Sequence, residues 1–82
     1  MWTEYVVKPF SGNDTGKHRS KQAALEDAQS RAIANPGEDF TVYRANHFTV
    51  NDEISPHTLT LTPLITYYYD KFIRKLQWER EV

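Results

Sequence analysis

The stretch that decides the fold is SKQAALEDAQSRAIANPG, residues 20–37, which carries the start, the body and the end of one helix. Ser20 is a good N-cap residue, and Asn35 followed by Pro36 and Gly37 is a typical helix stop. We therefore predict a helix that begins after Ser20 and ends at Asn35. Apolar residues recurring at helical spacing predict its buried stripe as Leu25, Ala28 and Ala32, flanked by Ala24 and Ile33.

The same helix carries an acid and a base four residues apart, Asp27 and Arg31. With the acid first, this is the favoured order for a surface ion pair worth only about 0.3 kcal/mol. We therefore expect the pair to be ordinary solvent-face chemistry.

Strand-forming segments lie on both sides of the predicted helix. Residues 2–10, WTEYVVKPF, are rich in aromatic and β-branched residues and predict a first strand, and residues 11–19 are a loop of turn formers. After the helix, residues 40–45 and 47–50 predict two strands or one longer bent strand. The alternating TLTLT at residues 58–62 predicts a short further strand.

The last part of the chain predicts a second helix over about residues 63–79, because Thr62 can cap it and Pro63 can occupy its first position. The element order is then β-α-β-β-(β)-α. This order predicts a small α+β fold, an antiparallel or mixed sheet covered by helices, as one domain spanning residues 1–82.

Composition narrows the class of protein. The chain has 82 residues, 39% of them hydrophobic, a formal net charge of -1 and no cysteine. This predicts a globular domain without a disulfide framework or thiolate metal ligands. With no apolar run long enough to span a bilayer and no signal-peptide pattern in MWTEYVV, we expect a cytoplasmic protein without a membrane partner.

Three consecutive tyrosines, Tyr67 to Tyr69, fall inside the predicted second helix. Helical spacing predicts a buried stripe of Ile65, Tyr68, Phe72 and Leu76, with Tyr69 at its margin. A second face would carry the predicted partner-binding residues Tyr67, Lys71, Arg74 and Trp78. Tyr, Trp and Arg are enriched at binding hot spots, although Trp78 packed over Arg74 on a solvated surface would explain the same pattern.

A basic cluster precedes the first helix and consists of Lys17, His18, Arg19 and Lys21. From Lys17, Arg19 and Lys21 we predict contact with an anion or with nucleic acid, in which tyrosine side chains could stack on bases. A solvated basic loop is the alternative explanation of the same residues.

The sequence carries no catalytic or metal-binding signature. His18, His47 and His57 are too scattered for a ligand motif, and no nucleophile motif such as GxSxG is present. We therefore predict no metal, no cofactor and no enzymatic activity.

The run YVVKPF, the Gly/Asn loop, SKQAALEDAQSRAIANPG and FTVYRA together resemble small bacteriophage accessory proteins, which include anti-CRISPR and other host-takeover inhibitors. The resemblance covers about the first fifty residues. It implies a non-enzymatic module that binds a host protein complex, for example one of defence or transcription, in the host cytoplasm. Nucleic acid is the alternative partner, and self-association into a homodimer is a further option.

Overall fold

The computed structural model describes residues 2–48 and 57–81. The elements are β1 (Trp2–Pro9), β2 (Gly16–His18), α1 (Lys21–Ala34), β3 (Phe40–Phe48), β4 (His57–Asp70) and β5 (Lys75–Arg80). The strands form one antiparallel sheet in the order β2-β1-β3-β4-β5, and α1 packs on one side of it. The predicted α+β class is confirmed.

The sheet has two different faces because successive side chains of a strand point to opposite sides. The helix face carries Val7 and Val42, which are paired across β1 and β3, and it meets α1. The open face carries Val6 and Tyr43, the next pair along the same two strands. The domain is elongated, with extents of 52 × 23 × 18 Å.

Helix α1 follows the prediction at both ends. The Ser20 hydroxyl accepts a hydrogen bond from the Ala23 amide at 3.3 Å, and Asn35 caps the last turn by donating to the Arg31 carbonyl. The buried stripe is Ala24, Ala28 and Ala32, one position away from the predicted Leu25. Three alanines bring the helix backbone close to the sheet, so Leu25 lies half-buried beside it.

The core lies between α1 and the middle of the sheet. Its members are Val7, Ala24, Ala28, Ala32, Phe40, Val42 and Tyr67. The two largest fully buried side chains, Val7 and Val42, come from the adjacent strands β1 and β3, and Tyr67, the largest core side chain, comes from β4. Val6 and Ala45 are buried as well, on the open face.

The prediction of a second helix over residues 63–79 is wrong. This segment forms the end of β4, a turn at residues 71–74, and β5. Pro63, expected at a helix start, pairs with Tyr43 of β3 beside a β-bulge, in which Leu64 is the extra residue of β4. A proline is tolerated in a strand at such a bulge. Within residues 2–48 and 57–81 the observed order is β-β-α-β-β-β, with one helix instead of the two predicted.

Two further expectations change in detail. Residues 40–48 form one strand, so the longer-strand alternative is confirmed, while Thr49 and Val50 lie outside the described residues. The loop predicted at residues 11–19 contains the short edge strand β2, which pairs with Tyr5, Val6 and Val7 of β1. The strand predicted at residues 58–62 is part of β4.

The β4–β5 turn is fixed by a side chain. Asp70 Oδ1 accepts hydrogen bonds from the amides of Phe72 at 2.9 Å and Ile73 at 3.4 Å. Arg74 closes the turn at a φ of 56°, in the left-handed region that non-glycine residues rarely adopt. The turn therefore holds its shape without a glycine or a proline.

Candidate functional site

A groove runs between α1 and the helix face of β4 and β5. We call it the α1–β5 groove, and its volume is about 670 Å³. The lining residues are Lys21, Leu25, Gln29, Leu64, Ile65, Tyr67, Leu76, Trp78 and Arg80.

The groove has an apolar floor of residues packed against the core, and Trp78 is the largest side chain that lines the groove. This side chain lies on the helix face of β5 directly opposite Tyr67, yet 58% of its surface is exposed. Leu64, Ile65 and Leu76 are partly buried around it against the core. A large aromatic side chain is thus held over an apolar floor with more than half of its surface still available for contact.

The groove wall is held in place by a polar contact between the helix and the sheet. Gln29 Nε2 on α1 donates a hydrogen bond to the Tyr67 hydroxyl on β4 at 3.2 Å. Tyr67 itself is 5% exposed and belongs to the core. Because the tyrosine ring is packed and its hydroxyl is bonded, the wall that faces Trp78 has a fixed position.

The charge of the groove has one sign. Among the residues that the structure describes, the charged residues lining the groove are Lys21 in the first turn of α1 and Arg80 at the end of β5, and none of the lining residues is acidic. Both cations are exposed. The groove therefore favours a ligand that joins an apolar group with a carboxylate or another anion.

The predicted partner-binding residues do not form one surface. Trp78 and the buried Tyr67 both line the groove, whereas Lys71 and Arg74 are exposed in the β4–β5 turn. The spacing that joined them was that of a helix, and this segment is a hairpin. Phe72, predicted in the core, is 92% exposed in the same turn.

The remaining residues of the predicted buried stripe divide between the two faces. Ile65 and Leu76 pack against the core, as predicted, whereas Tyr68 pairs with Gln77 on the open face. Leu64 and Arg80 were not among the predicted contact residues. Period-two alternation in Leu76, Trp78 and Arg80, with polar residues between, is the sequence signal that indicates their common face.

The basic cluster is also divided. Lys17 and Arg19 are exposed, but Lys17 pairs with Val6 and so points to the open face. Lys21 lines the groove on the helix face. His18 pairs instead with Asp27 of the helix, so the cluster does not form a single cationic patch.

The residues His18, Asp27 and Arg31 join β2 to α1, and we call them the clamp. Asp27 accepts a hydrogen bond from His18 Nε2 at 2.8 Å and one from Arg31 Nε at 2.9 Å. Arg31 also donates to the Asp14 carbonyl at 2.9 Å. The predicted Asp27–Arg31 pair is therefore present, but its part is structural, since it fixes the loop before β2 to the helix.

The clamp changes the acidity of its carboxyl group. Partial burial alone would raise the pKa of Asp27, but the hydrogen bonds from His18 and Arg31 and the nearby guanidinium charge outweigh it. The net effect lowers the pKa of Asp27 below its ordinary value of 3.8. Asp27 is thus held as a carboxylate, which matches its role as acceptor of both bonds.

The open face carries its own contacts. Trp2 stacks on His47 with ring centroids 5.3 Å apart, and His47 lies 3.6 Å from a Glu4 carboxylate oxygen. The Lys8 ammonium lies 5.8 Å from the centre of the Tyr43 ring. Val6 pairs with Tyr43 and Ala45 pairs with Glu4 on this face, and both Val6 and Ala45 are buried.

Residues 2–48 and 57–81 contain no group of three or more His, Cys, Asp or Glu side chains that could hold a metal ion. Within the same ranges, no helix has the length and apolar character needed to cross a membrane. The chain matches no protein-family model, and no curated protein and no solved structure is significantly similar to it.

Proposed function

We propose that this chain is a non-enzymatic protein-binding module and that the α1–β5 groove receives its partner. The observation that carries the proposal is Trp78, a tryptophan that is 58% exposed over an apolar floor and faces a fixed wall. Tryptophan at the centre of a concave apolar site is the side chain that most often dominates binding free energy.

The groove also favours a particular partner chemistry. Lys21 and Arg80 offer two cations beside the apolar floor, so an apolar side chain next to a carboxylate on the partner would meet both kinds of group. The partner that the phage-protein resemblance implies is a bacterial host complex of defence or transcription, which the module would bind and inhibit.

Affinity capture with paired variants tests the proposal. The immobilised chain is incubated with bacterial lysate, and each captured protein is then measured against Trp78→Ala and against Phe72→Ala as the matched control. Phe72 is an exposed aromatic outside the groove. Truncating a hot-spot residue costs about 2 kcal/mol, so we expect Trp78→Ala to weaken binding by more than about tenfold and Phe72→Ala to leave it unchanged.

A charged pair of variants gives an independent comparison. Arg80→Glu reverses a charge in the groove, whereas Arg74→Glu makes the same change in the turn. We expect only Arg80→Glu to slow association and to reduce the salt dependence of binding. Equal effects of Trp78→Ala and Phe72→Ala, or binding that neither variant alters, would refute the groove as the site.

Nucleic-acid binding through Lys17, Arg19 and Lys21 stays a prediction with its own test. Mobility shifts with single- and double-stranded DNA at low and high salt, on the wild type and on a triple Lys/Arg→Gln variant, give the measurement. A shift that weakens with salt and is lost in the variant supports it. No shift at low salt contradicts it.

A further inference from the structure

The outer edge of β5 presents backbone groups that no strand of the described chain pairs with. The Glu81 amide donates a hydrogen bond to the Leu64 carbonyl at 3.0 Å. This bond shows which backbone N–H and C=O groups of β5 face β4 and which face away from it. Because backbone groups alternate along an antiparallel strand, Gln77 and Glu79 also face β4. The N–H and C=O groups of Leu76, Trp78 and Arg80 therefore point outward.

These outward groups can pair with those of an identical strand. A two-fold axis perpendicular to the sheet beside Trp78 sets Trp78 opposite its own copy, and Leu76 opposite Arg80 of the second copy. All three residues belong to the outward set, so each N–H meets a C=O. An antiparallel pairing with this axis keeps both copies of α1 on the same face of the joined sheet.

The charges of the side chains along β5 and of Glu81 also favour the register centred on Trp78. On the open face it sets Lys75 of each copy opposite Glu81 of the other, and Gln77 opposite Glu79. On the helix face, Arg80 lies diagonal to the second Trp78, within reach of its ring. Charged side chains usually protect an edge strand from pairing, but in this register they attract.

The neighbouring registers are less favourable. Backbone pairing allows only shifts that keep outward residues opposite outward residues. Moving the axis to Glu79 sets two Glu79 side chains directly opposite each other. Moving it to Gln77 sets Lys75 opposite Glu79 of the second copy, but it also brings Arg80 against Arg74, so this repulsion offsets the attraction. Like charges placed opposite each other destabilise a strand pair, so the register centred on Trp78 is selected.

We infer that a second copy of this chain pairs through β5, centred on Trp78, and completes the binding site. The joined sheet has ten strands, and the two α1–β5 grooves meet to form one trough between the two helices. Both Trp78 side chains lie at its middle, with Lys21 and Arg80 from each copy beside them. The inference rests on the proposed function, because it concerns the same groove.

The test begins with mass and amide exchange of the full chain without any partner. Sedimentation equilibrium should show a mass that rises with concentration from 9.6 kDa to twice that value. Hydrogen exchange should show the amides of Leu76, Trp78 and Arg80 becoming protected over the same concentration range. The amides of Gln77 and Glu79, bonded within the chain, should be protected throughout.

Charge variants test the register. Lys75→Glu turns two attractive pairs into repulsive ones and should weaken the dimer by about tenfold. Adding Glu81→Lys to this variant restores opposite charges and should recover the dimer. Far-UV circular dichroism and the unfolding midpoint identify any variant that fails to fold, and Lys71→Glu in the turn is the matched control. A dimer that Lys75→Glu does not weaken would overturn the register.

The outcomes separate this inference from the proposed function. A mass of 9.6 kDa at all concentrations, with the three outward amides unprotected, overturns the dimer. If these amides become protected only when a captured partner is added, the edge binds that partner, and the dimer is overturned while the proposed function stands. A dimer that captures no Trp78-dependent protein supports the inference and removes the proposed function.

Discussion

Replacing Asp27 by alanine should destabilise the fold, because it removes the acceptor shared by His18 and Arg31. The Asp27 carboxylate lies 2.8 Å from His18 Nε2 and 2.9 Å from Arg31 Nε, and its side chain is 23% exposed. A hydrogen bond to a charged group contributes about 1.5–3 kcal/mol, and an exposed ion pair less than about 1 kcal/mol. The two bonds share one carboxylate at partial exposure, so we expect a loss of about 2 kcal/mol.

This loss is a large part of the stability of such a domain. At about 0.05–0.15 kcal/mol per residue, a chain of this size has a free energy of unfolding of roughly 4–12 kcal/mol. A change of 2 kcal/mol should lower the Tm by about 10 °C. The adjacent acid Glu26 is exposed on the same helix, and Glu26→Ala should change stability by less than about 0.5 kcal/mol.

The contribution of Asp27 should depend on pH in a fixed direction. Its folded pKa is lowered below 3.8, so the unfolded chain binds the proton more tightly than the folded chain does. The stabilisation is fully present above the unfolded pKa, the ordinary value of 3.8, and is lost as the pH falls through the folded pKa.

Urea unfolding monitored by tryptophan fluorescence and circular dichroism at pH 6, 5, 4, 3 and 2 gives the measurement. The difference between the wild type and Asp27→Ala should be constant from pH 6 to 5 and should shrink below pH 4. A difference that stays the same down to pH 2, or that matches the effect of Glu26→Ala, would refute the carboxylate as the source of the stabilisation.

Three further predictions concern single positions and are measured by the same urea unfolding. A Cβ added at Gly16 would lie 2.5 Å from Asp27 Oδ2, so Gly16→Ala should displace the clamp and cost about 1–2 kcal/mol; unchanged stability would contradict this. Tyr67→Phe removes the hydrogen bond from Gln29 but keeps the ring, and should cost about 1 kcal/mol, against a larger cost of about 3 kcal/mol for Tyr67→Ala. Arg74 has a φ of 56°, so Arg74→Gly should be neutral or stabilising by up to about 1 kcal/mol, whereas Arg74→Val should be destabilising.

Helix α1 could be predicted because its determinants are local. Ser20 supplies the N-cap, Asn35 supplies the C-cap, and the alanines recur at the spacing of one helical face. None of these signals needs a distant partner. The exact buried stripe depends on a distant partner, because only the packing of α1 against the sheet decides that Ala24 rather than Leu25 is fully buried.

The β4–β5 hairpin could not be identified because its turn has no glycine, proline or asparagine. Asp70 and the strained backbone of Arg74 form it instead, and apolar residues fall by coincidence at helical spacing across the turn. The β-branched and aromatic residues from Ile65 to Tyr69 were the competing signal for a strand. Here tertiary pairing with β3 outweighs the helical pattern.

The α1–β5 groove exists because the end of the chain forms a hairpin instead of the predicted helix. Trp78 was correctly singled out as an exposed aromatic residue, but its neighbours depend on the strand register. Pairing with β4 sets Tyr67 beside Trp78 on the same face of the sheet, and packing of α1 brings Lys21 and Leu25 to the same groove. The contacts of Lys21 and Leu25 join residues far apart in the chain, and the Tyr67–Trp78 pairing depends on a hairpin register that the sequence spacing does not reveal.

The position of β1 between β2 and β3 has a consequence for the order of folding. The β4–β5 hairpin closes over a four-residue turn and can form within microseconds. Pairing of β1 with β3 must instead close a loop that contains both β2 and α1, so its entropy cost delays it. The alanine stripe of α1 finds its full packing surface only after that closure. We therefore expect docking of β1 to be the slow step, with substitutions at Val7 slowing folding and substitutions in β5 mainly accelerating unfolding.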